Sequence, residues 1–366
     1  MTSVILESDP LVVGDPGALT PLRPSEQPKR KVRGLTRSEL VEYAISLSAG
    51  VHLAVLLRFL LDWDDLLGSG LIALIVFVGV HYAIVRARST PDVAIDKAVT
   101  TVMWTIGSAI VGILGWMTTY VATQGLRKLR PSFITEDLST VGALDAGGGA
   151  AHAIIGTLQQ VGLTTLFVVP IAILTAVYLN EIKGRMSFLI RFVIDALAGL
   201  PSIVAGLLII TISPGFAGYK ASLALFILAL PLVTRTSEEV LRTVPDGLRE
   251  ASLALGAPQW RVVLQVVLPT ARAGLVTATL LAVARIAGET APVILTAFNN
   301  TSINRNPFSG AQSSLPSFVW DLIKVPDKIQ NDRGWAGALL LLIIVLIAFA
   351  AARLTLARSE RKLGRR

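Results

Sequence analysis

Two charged residues, Arg285 and Glu289, stand in the middle of a long apolar stretch of this sequence. An arginine at the centre of a membrane helix costs about 2.5 to 3.5 kcal/mol on insertion scales, so it should face protein or water and have a partner. Residues four apart lie on one face of a helix, and the spacing therefore predicts an ion pair. That pair either locks neighbouring helices together or serves as a cationic station on the path of an anion.

The same spacing recurs at Arg191 and Asp195, near the start of an earlier apolar stretch. A lone carboxylate at that depth would be costly, so we predict a second pair that faces other helices, with packing and transport both open as its role. Arg235, followed by Glu238 and Glu239, ends another apolar stretch. It is either an orientation anchor at the cytoplasmic boundary or a further cation for the same anion.

The composition indicates a membrane protein. The 366 residues are 53% hydrophobic and 16% charged, with a mean hydropathy of +0.66. The apolar blocks are long enough to cross a hydrocarbon core, which excludes a soluble protein. With no cysteine and three scattered histidines, disulfides, thiol chemistry and a metal site are not expected. The net charge of +8 is explained by basic cytoplasmic loops without a nucleic-acid partner.

The hydropathy pattern predicts an all-α, polytopic protein with eight membrane spans. The distribution of Lys and Arg residues between the spans predicts that both termini lie in the cytoplasm. The sixth span is the weakest, because its apolar run is short enough for a re-entrant segment. Gly199, Pro201, Gly206 and Gly288 mark expected points of close helix approach or local unwinding. The predicted spans are 44–61, 69–85, 99–123, 162–180, 188–212, 218–233, 272–297 and 335–356.

Four segments are predicted along the chain. They are a disordered cytoplasmic tail at 1–43, a transmembrane hairpin at 44–98, a larger transmembrane domain at 99–357 and a basic cytoplasmic tail at 358–366. The first tail is rich in proline and polar residues and has no apolar core followed by a cleavage site, so it is not expected to be a targeting signal.

The inside loop at 234–271 predicts two short helices joined by a tight turn. Thr243 and Asp246 have the spacing of a capping box at the start of the first helix. Gly256 is suited to a left-handed cap at its end. The second helix is expected over 259–268, ended by the proline that follows.

This loop resembles the EAA loop of ABC importer permeases. The resemblance rests on Glu250-Ala251, on Gly256 and on the later run Val267-Leu268-Pro269, with Ser252 in place of a second alanine. It implies a coupling helix that docks on an ATPase subunit, with Glu250, Ala251 and Gly256 as contact or cap residues. The alternative is an ordinary amphipathic connector.

Residues 99–357 also resemble the A-type permeases of the phosphate-specific transport system. The most specific match runs from Ala284 to Pro292 and contains Arg285, Gly288 and Glu289. The resemblance implies a type I importer core, to which the hairpin at 44–98 is an addition. The other matching stretches are Glu181 with Gly184-Arg185, Ile190 to Asp195, Pro201 to Val204, Arg235-Thr236 with Glu238, Gly147 to Gly149 and Trp335 to Gly337.

The resemblance implies a multi-pass subunit of an ATP-driven inorganic phosphate importer in the bacterial cytoplasmic membrane. Its partners would be a second, C-type permease, two ATPase subunits, an extracytoplasmic phosphate-binding protein and membrane lipid. Arg285, Glu289, Arg191, Asp195 and Arg235 would line the substrate path. The chain has no Gly-x-x-x-x-Gly-Lys-Ser/Thr loop, so it is expected to be no enzyme and to hold no cofactor, with ATP bound by its partner.

Other functions stay open at this point. A permease for another oxyanion such as molybdate is the nearest, because a guanidinium does not by itself distinguish tetrahedral oxyanions. An ion-coupled secondary transporter or channel would account for the buried charges but leave the EAA-like loop unexplained. An intramembrane enzyme is disfavoured, since no paired carboxylates, Ser/His set or metal spacing occurs at membrane depth.

Overall fold

A computed structural model describes residues 36–61, 65–142, 145–182 and 184–363, and most of the predicted N-terminal tail lies outside these ranges. Their regular structure is helical, apart from one isolated bridge, which confirms the all-α class. The helices are α1 Arg37–Leu61, α2 Leu66–Arg88, α3 Pro91–Gly125, α4 Pro131–Thr135, α5 Ala151–Val177, α6 Ser187–Ala198, α7 Ser202–Ile212, α8 Gly218–Arg242, α9 Asp246–Ala254, α10 Gln259–Val262, α11 Leu268–Ala287, α12 Ala291–Thr296, α13 Leu315–Ile323 and α14 Lys328–Leu363, with π-helical turns at Tyr178–Ile182 and Val263–Val267.

The first of two compact units ends at Val111. In it α1 and α2 form a helical hairpin, and α1 begins at Arg37, earlier than the predicted start of the first span. Gly50 of α1 lies against the backbone of α2, where a Cβ would overlap the Ala73 carbonyl. This glycine therefore permits the two helices to approach closely.

Within the described ranges, seven helices are long and apolar enough to cross a membrane, and a bent pair brings the number to eight if it is one span. The bent pair is α6 with α7, at 104°. The predicted span at 188–212 is therefore present as a bent pair, with the break at Gly199 and Pro201, where local unwinding is expected. Pro201 has no N–H and disfavours helical backbone at the residue before it, so the helix breaks there.

The predicted sixth span is the full helix α8, and the structure gives no sign of a re-entrant segment at 218–233. More than half of its most apolar stretch, 56%, is buried inside the protein. A helix surrounded by other helices needs fewer strongly apolar side chains than one that faces lipid. This explains why its apolar run is short.

The predicted bounds of the seventh span, 272–297, are wrong at both ends. Helix α11 begins at Leu268, ends at Ala287 and is followed by Gly288, after which α12 forms a separate short helix. The candidate span runs over Gln259–Ala287 instead. Arg285 therefore lies in the last turn of α11 and not at the middle of a long helix.

Helix α8 is the centre of the second unit, residues 112–366. Its buried face carries small and branched side chains such as Ala229 and Val233, which pack against Val168 of α5 and Ile286 of α11. Small side chains at helix contacts permit close approach. This packing brings the last turn of α11 beside the part of α8 that carries Arg235.

Candidate functional site

A cavity of about 420 Å³ lies where the α6–α7 break, α8 and the last turn of α11 meet. Its charged lining residues are Arg235, Arg285 and Glu289, and Ser202 contributes a hydroxyl. The site thus combines two cations and one anion within mostly apolar walls. The other lining residues are Leu197, Ala198, Leu200, Pro201, Leu228, Pro231, Leu232 and Ile286.

Arg285 is exposed in this cavity and makes no hydrogen bond or ion pair with any residue that the structure describes. The predicted pair with Glu289 is therefore wrong. The reason is the end of α11 at Ala287, because Glu289 no longer occupies the helical position one turn above Arg285. The cavity keeps both groups, but the guanidinium is left available to a ligand.

Arg235 is held by a carboxylate from another helix. Its guanidinium donates to Asp195 of α6 at 2.5 Å, although both side chains are at least half exposed. An exposed pair of this kind is weak and competes with water and ions. Asp195 is not among the cavity's lining residues and reaches the site only through Arg235.

The predicted pair between Arg191 and Asp195 is wrong as well. Arg191 donates to Glu238 of α8 through two nitrogens, at 2.6 and 3.1 Å, and Arg242 donates to the same carboxylate at 2.6 Å. Helix α6 packs on α8, so a carboxylate across the contact is nearer than one on the next turn of the same helix. Arg191 lies outside the lining of the 420 Å³ cavity.

The break between α6 and α7 contributes to the electrostatics of the cavity. Pro201 and Ser202 line it, and α7 begins at Ser202, so the N-terminal end of an 11-residue helix opens onto it. The unpaired backbone N–H groups of a first helical turn carry partial positive charge. The role of Ser202 was missed from the sequence, although Gly199 and Pro201 signalled a break.

Helix α7 is held against α12 by a glycine. A Cβ on Gly206 would lie 2.8 Å from the Cα of Pro292, which is closer than real contacts allow. The glycine is needed for this approach, which confirms the close helix contact predicted at Gly206. The contact fixes the start of α12 just after Glu289 and so shapes one wall of the cavity.

The loop after α8 forms two helices and a turn, as predicted. Gly256 has a positive φ of 81°, which confirms the left-handed cap. The predicted capping box is wrong, because the N-cap of α9 is Pro245 and the Thr243 hydroxyl donates to the Val240 carbonyl instead.

The predicted end of the second helix at Pro269 is also wrong. The π-helical turn at Val263–Val267 precedes α11, and the proline falls in the first turn of α11, where no N–H is required. The chain therefore stays helical from Gln259 to Ala287, apart from this wider turn.

The exposed surface of this loop carries charged residues together with large apolar side chains. Glu250 and Ala251 are exposed, and the Leu255 side chain at the end of α9 is 89% exposed. Trp260 is also exposed, and the Arg261 guanidinium lies 5.3 Å from its ring centre. Leu255 and Trp260 lie five positions apart, on either side of the turn between α9 and α10.

In the segment between α4 and α5, the Asp137 side chain connects this segment to the loop that contains Ile303. Its carboxylate accepts from the hydroxyl and N–H of Ser139 and from the N–H of Ile303, at 3.2 Å in the last case. The donors hold the pKa of Asp137 below its ordinary value, with the Ser139 hydroxyl the largest cause. The carboxylate is therefore charged over a wider pH range than usual.

A family model described as "Binding-protein-dependent transport system inner membrane component" matches residues 168–363. The chain belongs to this family. The permease is thus a multi-pass protein of a bacterial inner membrane with a role in transport. Membership also implies an ATPase partner and a substrate-binding partner.

Curated relatives share the permease's sequence over most of its length. It is 40% identical over 257 residues to "Phosphate transport system permease protein PstA 1" of Mycobacterium tuberculosis, covering 68% of this chain and 84% of the relative. It is 38% identical to the PstA protein of Pasteurella multocida, covering 66% of this chain and 87% of that one. These relatives confirm the resemblance found in the sequence.

A solved structure of the methionine transporter MetNI, in an inward-facing conformation, is also similar to this chain. The identity is 23%, the TM-score is 0.45, and the match covers 57% of this chain and 94% of the other. The assignment of the permease to its family does not rest on this likeness.

Proposed function

We propose that this permease is the A-type subunit of an ATP-driven importer of inorganic phosphate and forms half of the anion path. The observation that carries the proposal is Arg285, which has no partner among the described residues and lines a cavity of about 420 Å³. The names of relatives that are 38 to 40% identical support phosphate as the ligand. A C-type permease would supply the other half of the path, and an extracytoplasmic phosphate-binding protein would deliver the ion.

The cavity suits an anion that must bind and then leave. Arg285 can offer parallel N–H donors to two phosphate oxygens. Glu289 weakens the net attraction, and Asp195 competes with the anion for Arg235. The N-terminal end of α7 at Ser202 adds partial positive charge. Weak and multiple contacts are what conduction requires.

Arg191 remains a predicted residue of the substrate path, and we propose that it acts without touching the anion. Its guanidinium is bound to Glu238, one turn beyond Arg235 on α8. In the proposed mechanism the pair fixes α6 against α8 and thereby the position of Asp195. Arg191 would act on the anion through this geometry and not by contact.

The loop at 234–271 is proposed to couple the permease to its ATPase subunit. Glu250, Ala251 and Gly256 would form the contact and cap of the coupling helix, as the EAA resemblance implies. The exposure of Leu255 and Trp260 supports this, because their burial in a partner would remove apolar surface from water.

ATP would be bound by the ATPase subunits, and this chain would be a transport subunit without catalysis of its own. The same scheme places both termini and the loop at 234–271 in the cytoplasm. The basic residues around α9, such as Arg242, Arg249 and Arg261, agree with that orientation.

The test is ATP-dependent uptake of radiolabelled phosphate by the four-component complex in liposomes, with molybdate and sulfate as competitors. We expect phosphate uptake by the wild type, and loss of uptake in Arg285→Ala with the complex still assembled. Arg353→Ala is the matched control, because Arg353 is an exposed arginine on α14 that does not line the cavity.

Normal uptake by Arg285→Ala would remove this arginine from the mechanism. Preference for molybdate would favour the other oxyanion. Transport by the purified chain alone, without an ATPase subunit, would replace the importer by a secondary transporter or channel.

A further inference from the structure

The Arg249 side chain of α9 makes polar contacts with four other residues. Its guanidinium donates to the Glu181 carboxylate at 3.0 to 3.3 Å and to Asp246 at 2.9 Å. It also donates to the main-chain carbonyls of Leu241 and Val244, at 2.9 and 2.6 Å. One side chain thus joins α9, the end of α8 and the segment that follows α5.

The contact with Glu181 is the buried one. The side chains of Arg249 and Glu181 are 15% and 8% exposed, whereas that of Asp246 is 87% exposed. Removing one partner of a buried pair leaves an uncompensated charge, whereas an exposed pair contributes little. The two carboxylates that bind Arg249 therefore differ in importance, and Glu181 dominates.

A second contact reaches the same residue from the other helix of the loop. The Gln259 side chain of α10 donates to the Glu181 carbonyl at 2.8 Å. Both helices of the loop are thus attached to Glu181, the first through its carboxylate and the second through its main chain. Arg249, Glu181 and Gln259 line one cavity of about 530 Å³.

Glu181 belongs to a continuous helix whose other end holds a different loop. The helical stretch Ala151–Ile182 has 32 residues, a length of about 48 Å, and Pro170 does not interrupt it. Near its start, Gln159 donates to the Arg305 carbonyl at 2.9 Å, and Gln160 donates to the Gln312 carbonyl at 3.2 Å. One helix thus connects the loop at 234–271 with the loop before α13.

We infer that Arg249 and Glu181 form the positioning pair through which movement of the coupling helix is passed to α5, and through α5 to the loop at the opposite end of the bundle. The chain itself already links α9 to α8 through residues 243–245. The pair adds α5, so that both central helices move when α9 is pushed. This inference rests on the proposed function, because it requires an ATPase that acts on α9.

The test compares Glu181→Gln with Asp246→Asn in the assembled complex. Both substitutions neutralise a carboxylate that binds Arg249, but only the first one is buried. The readout is the number of ATP molecules hydrolysed per phosphate transported. From interaction energies of contacting pairs, we expect Glu181→Gln to raise this ratio roughly threefold or more, and Asp246→Asn, which removes only an exposed contact, to change it much less.

A double-mutant cycle of Arg249 and Glu181 separates coupling from assembly, in case Arg249 is also needed for assembly. It compares the ratio of ATP hydrolysed to phosphate transported in the single and double variants. If the pair acts as one unit, Arg249→Gln with Glu181→Gln should be no worse than Arg249→Gln alone. Additive changes in the ratio would overturn the inference. A parallel fall of uptake, ATP hydrolysis and assembled complex, with an unchanged ratio, would reduce the pair to a structural role.

The absence of cysteine permits a second measurement. Spin labels are attached at Gly247→Cys on α9 and Leu174→Cys on α5. The distance between the two labels should be the same in the nucleotide-free and the ATP-bound complex, and Glu181→Gln should broaden the distribution of that distance. A wild-type distance distribution in Glu181→Gln would overturn the inference. If the wild-type complex took up no phosphate with ATP, the proposed function would fail instead, so the two failures are distinguishable.

Discussion

Substitution of Asp195 tests whether this carboxylate weakens the binding of the anion in the cavity. The substitution Asp195→Asn keeps the shape of the side chain and removes the charge that holds Arg235 at 2.5 Å. A phosphate ion in the cavity must compete with that carboxylate for the guanidinium. Without the competitor, Arg235 is free to bind the anion, and we expect the affinity of the permease complex for phosphate to rise.

The size of the effect follows from the exposure of the pair. The side chains of Arg235 and Asp195 are 50% and 65% exposed. Exposed pairs contribute about 0.2 to 1 kcal/mol, so the expected gain in affinity is about 1.4-fold to fivefold. Arg235→Gln should shift the affinity in the opposite direction. Salt should reduce both shifts, because exposed charges are screened.

The assay is equilibrium binding of radiolabelled phosphate to the complex of the two permeases and the ATPase, without the binding protein, whose own affinity would mask the change. Asp321→Asn is the control, since Asp321 forms an exposed ion pair with Lys324 away from the cavity. An unchanged or weaker affinity in Asp195→Asn would show that Arg235 does not meet the anion.

Three further predictions concern packing, coupling and pH. Gly206→Ala should destabilise the permease by about 1 to 3 kcal/mol, measured by thermal unfolding of the complex, because its Cβ would overlap Pro292. Leu255→Ser should weaken ATPase association roughly tenfold to a hundredfold in a pull-down titration, since a fully buried leucine contributes about 1.5 to 3 kcal/mol. Asp137→Asn should speed hydrogen exchange at the Ile303 N–H about tenfold at neutral pH. In the wild type, because the pKa of Asp137 is lowered, this contact should be lost only as the pH falls below the ordinary carboxyl range.

Helices and turns could be predicted from the sequence where neighbouring residues determine them. Apolar length identified the membrane helices, and Gly256 with the proline after it identified the turn between α9 and α10. Pro201 and Gly288 predicted close approach or local unwinding, and both lie where a helix ends or bends. The sequence did not show that α6 and α7 meet at 104°, or that α11 ends before Glu289.

The partners of the charges could not be predicted, because they depend on tertiary packing. The i, i+4 spacing favoured pairs within one helix, whereas the structure pairs Arg191 with Glu238 and Arg235 with Asp195, both between α6 and α8. Glu181 and Arg249 are 68 positions apart, and no local pattern connects them. Packing of the helices decides which distant carboxylate lies within reach of each guanidinium.

In the proposed mechanism, Arg285 binds the transported anion directly. The most direct measurement is a structure of the assembled importer, with its C-type partner, ATPase and binding protein, trapped with phosphate inside. We expect anion density about 2.7 to 2.9 Å from the Arg285 guanidinium, in the cavity beside Arg235 and Ser202. Density elsewhere, with Arg285 turned to lipid or sealed by a neighbouring subunit, would contradict it.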